Sequence, residues 1–278
     1  MAEEKWLIDG PTVIDLGPTR RLKVALAHGQ VDIVGHDEPT TRVEVHSVSG
    51  KELKITMNGD SLEVDHPQLG WDNLIDTFRG FAGAARADVS ILVPRDVALK
   101  FGVVSSSGLI SGLHSDATIS TVGGDLVIDG LEGDITVNSV SGEVAVRNHT
   151  GRINAHTVSG DITATGEVSR FRGDGVSSDI LLDFTGSPDE IRVNTVSGNI
   201  TARLEEGHAA DYRINTVGGR VRLDDSEIRG VRGAYTGRYG KPERSYLDFR
   251  ANTVGGDISV LHSTPARQAS ADRSGSGS

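Results

Sequence analysis

The sequence predicts an all-β protein: a single β-solenoid in which stacked rungs of about 18 residues share one core. Three observations carry that expectation. The first is a phrase of small polar residue, Val, small residue and Gly. It recurs as Thr121-Val122-Gly123-Gly124, Ser139-Val140-Ser141-Gly142, Thr157-Val158-Ser159-Gly160, Thr195-Val196-Ser197-Gly198, Thr216-Val217-Gly218-Gly219 and Thr253-Val254-Gly255-Gly256. The second is spacing. Counted on the closing glycine, the anchors Gly108, Gly124, Gly142, Gly160, Ser178 (in place of Gly), Gly198, Gly219 and Gly256 lie 16, 18, 18, 18, 20, 21 and 37 residues apart. The last interval, about twice the others, marks a copy near 225–245 that has degenerated or been overwritten. The third is alternation of apolar with polar or small residues between the anchors, the periodicity of strands with one buried face.

Aligned on the anchor, the repeats form apolar columns. Two residues after it stand Leu126, Val144, Ile162, Ile180, Ile200, Val221 and Ile258; four after it, Ile128, Val146, Ala164, Leu182, Ala202, Leu223 and Val260. Seven before it stand Ala117, Ile135, Ile153, Phe171, Ile191, Tyr212 and Phe249. Two before it stand Val122, Val140, Val158, Val176, Val196, Val217 and Val254. All four columns are expected to form inner seams, so Asp at Val140 and Val196 is expected to unfold the array. Full burial of a Val or Ile contributes about 1.5–3 kcal/mol. Ordering each residue's backbone costs about 1–2 kcal/mol. A rung with so few aliphatics is stable only when stacked. A corner column of Ser120, Asn138, His156, Asp174, Asn194, Asn215 and Asn252 predicts a hydrogen-bonded structural ladder.

The chain divides into a looser β-rich region over 1–88, the array over 89–263 and a Ser/Gly/Ala-rich disordered tail over 264–278. In the first region Leu22–Leu26, Val31–Val34, Val43–Val45, Leu53–Ile55 and Leu62–Val64 alternate as strands. Over 71–81 Trp71, Leu74, Ile75, Phe78 and Phe81 take helical spacing, predicting one short amphipathic helix. It would cover an open end of the stack or dock a partner.

Composition narrows the function. The formal net charge of -11 argues against nucleic-acid binding and against adsorption to anionic membranes. There is no Cys, which removes disulfides, thiolate metal sites and cysteine nucleophiles. The Met1–Trp6 start lacks the apolar stretch of a signal peptide, and no run of about 18 apolar residues occurs, so a cytoplasmic location is expected. The nine His carry no metal spacing, and no phosphate loop, dinucleotide fingerprint or nucleophile elbow is present. No catalytic residue, metal or cofactor is expected. The acids Asp125, Glu143, Asp161, Asp179 and Asp257, interrupted by Asn199 and Arg220, suggest a solvated corner; a weak calcium edge is a lesser alternative. Arg172-Gly173-Asp174 falls inside a rung, where the tripeptide is a chance match.

One surface stands out for partner binding. Residues 226–246 form a basic, aromatic island in an acidic chain; Arg229, Arg232, Tyr235, Arg238 and Tyr239 are the candidate contacts, joined by Trp71 and Phe78 from the helical segment.

The strand Val89-Ser90-Ile91-Leu92-Val93-Pro94-Arg95, followed by serial Thr-Val-Ser-Gly-(Asp/Asn)-Ile phrases, resembles the bacterial putative-adhesin family of β-strand repeat proteins, domain of unknown function 4097. The resemblance covers roughly 20–262. It implies a non-enzymatic scaffold or interaction module of adhesin-like or cell-envelope-stress type, with a protein partner and a glycan as the second candidate. It supplies no catalytic set. Two rival expectations are a glycan-active β-helix enzyme, with acids and bases converging from adjacent rungs, and a self-assembling structural protein with exposed apolar rung ends.

Overall fold

A computed structural model describes residues 3–66, 85–207, 209–224, 226–228, 233–240 and 246–263. The helix expected over 71–81 and the tail from 264 lie outside these residues. Among the described residues the chain is all-β, with no helix, hence none long and apolar enough to cross a membrane. It enters through β1 (Glu3–Ile8), β2 (Thr12–Leu16), β3 (Arg21–His36), β4 (Thr41–Ser49), β5 (Leu53–Asn58), β6 (Ser61–Asp65), β7 (Arg86–Pro94) and β8 (Ala98–Ser111). The repeats follow as β9 (Ala117–Gly123), β10 (Leu126–Asp129), β11 (Glu132–Ser141), β12 (Val144–Ser159), β13 (Ile162–Ser177), β14 (Ile180–Phe184), β15 (Glu190–Asn194), β16 (Ile200–Glu205), β17 (Ala209–Thr216) and β18 (Val221–Leu223). The chain closes with β19 (Ser226–Ile228), β20 (Gly233–Tyr239), β21 (Tyr246–Thr253) and β22 (Ile258–Ser263).

The strands pair along two ladders. One runs β2-β4-β7-β3-β8-β10-β12-β13-β14-β16-β22-β18-β19. The other runs β1-β5-β6-β3-β8-β9-β11-β12-β13-β15-β21-β17-β20. The long strands β3, β8, β12 and β13 pass through both. The middle of each ladder is parallel, repeat upon repeat, as in Ile135 opposite Ile153 and Val144 opposite Ile162. Both ends turn antiparallel, through β1, β2, β4 and β5 at one end and β19 and β20 at the other. Position 88 falls within β7, and one buried cluster runs from Leu16 to Val260, so the strands on either side of it share a core.

Three of the four aliphatic columns face that core. Leu126, Val144, Ile162, Ile180, Ile200, Val221 and Ile258 are buried, and so are Ala117, Ile135, Ile153, Phe171, Ile191, Tyr212 and Phe249. The column four after the anchor is also buried, apart from Leu223, which packs against the core partly exposed. The fourth column, the valines, points the other way.

The long final interval has a topological cause. Beyond β15 and β16 the next members of the two ladders are β21 and β22, not β17 and β18. The strands at 246–263 slide between the repeat at 190–205 and the repeat at 209–223. The copy near 225–245 is therefore no decayed rung: its described strands β19 and β20 pair antiparallel to β18 and β17 at the end of the stack.

The polar corners hold the stack in register. Asn215 Nδ2 donates to Asn252 Oδ1 at 2.6 Å, Asn252 Nδ2 to Asn194 Oδ1 at 2.8 Å, and Asn194 Nδ2 to Asp174 Oδ1 at 2.8 Å. The acid row works similarly. Asp125, Asp161, Asp179 and Asp257 each accept the backbone N–H of the residue stacked beside them, at 2.7–3.0 Å. A carboxylate there supplies a charge-assisted bond to the neighbouring strand.

Candidate functional site: an outward valine groove

The valine column turns outward because of strand parity. Residues seven and two before the anchor are five apart, an odd interval, and alternate residues of a continuous strand face opposite sides. β9, β11, β12 and β13 run through this stretch without a break. Ile135 and Val137 point inward, Ser139 is buried after them, and Val140 must then face solvent. The expectation that the valines form an inner seam is overturned. Val140 is 37% exposed, Val217 78%, and Val158, Val176, Val196 and Val254 lie between.

The inward place goes instead to the small polar residue of each phrase. Thr121, Ser139, Thr157, Thr195, Thr216 and Thr253 are all buried. A buried hydroxyl needs a partner, and the turn provides one. Thr121 Oγ1 donates to the Gly123 carbonyl at 2.9 Å, and Thr216 Oγ1 accepts the Gly219 N–H at 3.0 Å while donating to the Gly256 carbonyl of the adjoining repeat at 3.1 Å. Thr253 Oγ1 accepts the Gly256 N–H at 3.1 Å. The phrase is a corner device: the hydroxyl ties the turn inside while valine is left outside.

Stacked in register, the valines line a groove of about 570 Å³ between Val122 and Val176, with Ser120, Asn138, His156 and Asp174 along its flank. Val122 packs against a small separate cluster of Ala25, Ala27, Ala85 and Val104, which closes that end. Beyond Val176 the outward column continues through Val196, Val254 and Val217. In-register β-branched side chains touch along the ladder, but a large part of each remains bare to solvent. Contiguous apolar surface of this kind marks interaction sites.

A second constellation sits at the far end. Tyr212 Oη is 2.7 Å from His262 Nε2, and His262 Nδ1 is 3.0 Å from Asp224 Oδ2. The carboxylate orients the ring with Nδ1–H toward itself, so Nε2 accepts from the phenol. Carboxylate, imidazole and hydroxyl in a row would suit proton relay. Here the hydroxyl is buried, burial pushes its pKa well up, and the adjoining space is about 10 Å³, too small for a substrate. This row fastens β22 to β17. Among the described residues no group of His, Asp and Glu could hold a metal ion.

A family model described as Toastrack DUF4097 matches residues 19–261. The chain belongs to that family. Solved structures resemble it at low identity. A "putative cell adhesion protein" from Clostridium sporogenes is 13% identical, with 94% of this chain and 99% of that one covered and a TM-score of 0.29. A "putative lipid binding protein" from Parabacteroides distasonis is 14% identical over 91% and 99%, with a TM-score of 0.49. A "putative adhesin" from Bacteroides fragilis is 11% identical over 90% and 97%, with a TM-score of 0.44. At these levels the likenesses carry no functional argument. Among curated proteins no match was found.

In this Toastrack chain the contacts expected from sequence fall in different places. Arg229, Arg232, Trp71 and Phe78 lie outside the described residues. Tyr235 and Tyr239 are half-buried and pack on the core, and the Tyr239 ring stacks on His262 at 3.7 Å. Arg238 extends into solvent and pairs with Asp211 at 3.0 Å. In the described part of the island Tyr235 and Tyr239 thus turn inward, while Arg238 and Tyr246 stay outside. The valine groove was visible in the sequence as a column; its direction was recoverable only from parity.

Proposed function

We propose that this chain is a single β-solenoid serving as a non-enzymatic interaction module of adhesin-like or cell-envelope-stress type, with a protein partner held along the outward valine column. One observation supports this most: six exposed valines kept in register on the solvent side of a ladder whose core is already complete. A strand surface with no partner gains nothing from unbroken aliphatic repetition that mixed Thr and Lys would not also provide. The polar ladder beside it gives the polar rim around an apolar centre that is usual for interfaces. Arg238, exposed at the end of the stack, is the rim contact retained from the basic island.

Site-specific photo-crosslinking tests this. A photoreactive residue at Val158 or Val196 should give one discrete heteromeric adduct in cells of the source organism. The same residue at Thr163 or Thr201, beside the acid row, should give none. Identical adduct patterns at all four positions, or adducts with a second copy of the chain alone, would remove the proposal.

A further inference from the structure

Two columns away from the valines, on the same ladder face, the outward positions become cationic. Along four neighbouring strands they read Arg172-Asp174-Val176, Arg192-Asn194-Val196, Arg250-Asn252-Val254 and Arg213-Asn215-Val217. The arginines are in direct register: Arg172 opposite Arg192, Arg192 opposite Arg250, Arg250 opposite Arg213. Neighbouring strands are about 4.8 Å apart, so like charges repel at each step unless something neutralises them.

The chain neutralises them only in part. Glu190 is shared by three guanidiniums, with Arg170 Nε and Arg172 Nη2 each at 3.2 Å and Arg192 as the third. Asp248 is shared by Arg250 at 2.6 Å and Arg213 at 3.7 Å. Five guanidiniums therefore share two carboxylates, in a chain whose formal net charge is -11. Asp211 is paired with Arg238, whereas the Asn194 amide bonded to Asp174 carries no charge, so Asp174 counts as a third carboxylate beside Arg172 and the guanidiniums outnumber the carboxylates five to three. These five side chains are 36–53% exposed, so the excess charge is reachable from solvent.

One feature beside the arginines narrows the ligand. The stacked Asn amides each spend one N–H on a neighbour, and an amide carries two, so a donor is left at Asn194, Asn252 and Asn215. Guanidiniums for carboxylates and amides for hydroxyls recur side by side along the stack. We infer that this face binds a linear acidic polysaccharide laid along the stack, its carboxylates on Arg172, Arg192, Arg250 and Arg213 and its hydroxyls toward the Asn column. A repeating surface engages a repeating ligand at several levels at once, and affinity then grows with ligand length. A membrane fits less well, since the polar Asn column separates the cations from the valines. The inference is independent of the valine groove, which lies at a different column.

Isothermal titration of the full chain with polygalacturonate is the test, alongside galacturonate trimer, phosphatidylglycerol vesicles and single-stranded DNA. Polygalacturonate should bind, more tightly per chain than the trimer, and weaken as salt rises. Arg172→Gln with Arg213→Gln should weaken it at least about tenfold. That pair leaves Glu190 with Arg170 and Arg192, and Asp248 with Arg250, so no carboxylate is stranded. Tyr246→Ala, four residues along β21 from Arg250, changes no charge and should leave affinity unchanged. Absence of polygalacturonate binding, or equal binding by the Arg variant, would overturn the inference. So would a loss in Tyr246→Ala as large as in the Arg variant, equal affinity for trimer and polymer, or preference for vesicles or DNA, each of which would leave only a general surface.

Discussion

Val140 and Val144 belong to one repeat, carry the same side chain and meet opposite environments: 37% exposed and 1% exposed. Between them the corner at Gly142 ends one ladder segment and opens the next, and the strand phase is reset. Asp at Val144 would place a charge in the core without a partner, a cost of several kcal/mol. Asp at Val140 and Val196 together meets water and loses only β propensity and contact with the neighbouring valines, about 1 kcal/mol per site. The double variant Val140→Asp, Val196→Asp should therefore fold, with a thermal midpoint within a few degrees of wild type by circular dichroism. Val144→Asp should not yield a cooperative transition. Unfolding of the double variant would mean that the valines are buried after all. Both directions were present in the sequence as arithmetic, since Ile135, Val137 and Ser139 are an even count apart and Val140 is not. Hydrophobicity alone obscured it, because a buried hydroxyl satisfied by its own turn looks polar and an exposed valine looks like core.

At the scale of the corner, the closing glycine is required by the stack and not by the turn alone. Gly142 has φ +107, and a Cβ there would collide with the carbonyl of Gly124 in the adjoining repeat. Gly130 also has a positive φ, +61, but nothing lies within 4 Å of where its Cβ would stand. Gly130→Ala should cost about 1 kcal/mol, the conformational penalty only. Gly142→Ala adds a backbone collision that no rotamer relieves, and should cost more than about 3 kcal/mol. Chemical denaturation of the two variants separates these cases; equal losses would show that the corner can open. The glycine column was fully legible from sequence, and so were the Asn ladder and three of the four inner seams. The hydrogen-bonding use of the acid row was not. A row of carboxylates suggests solvent or a cation until the backbone N–H beside each one, such as Glu143 N on Asp125, is placed.

For the whole molecule the long interval, read from sequence as a degenerated or overwritten copy, reflects strand order, which spacing does not carry. The repeats at 209–223 and 246–263 present equivalent inward faces, Tyr212 against Phe249 and Val221 against Ile258, and either could dock on 191–202. The ends decide. β20 pairs antiparallel with β17, so β17 must keep one edge free of the parallel stack. The row of Asp224, His262 and Tyr212 then ties the later strand beneath the earlier one. A chain that stacked in sequence order would leave β20 without its edge and His262 without its phenol. It follows that the repeat at 209–223 reaches the core only through 246–263, with which it shares the edge contact Tyr212–Phe249 at 5.5 Å between ring centres. Removing residues from 246 onward should therefore release two repeats, not one. In such a truncated chain, amide hydrogen exchange over 209–223 should become as fast as in unfolded chain, while β11, β12 and β13 keep their protection. Retained protection over 209–223 would mean that this repeat can dock directly on 190–205, and that the interleaved order is a preference of the last strands instead of a condition for closing the end.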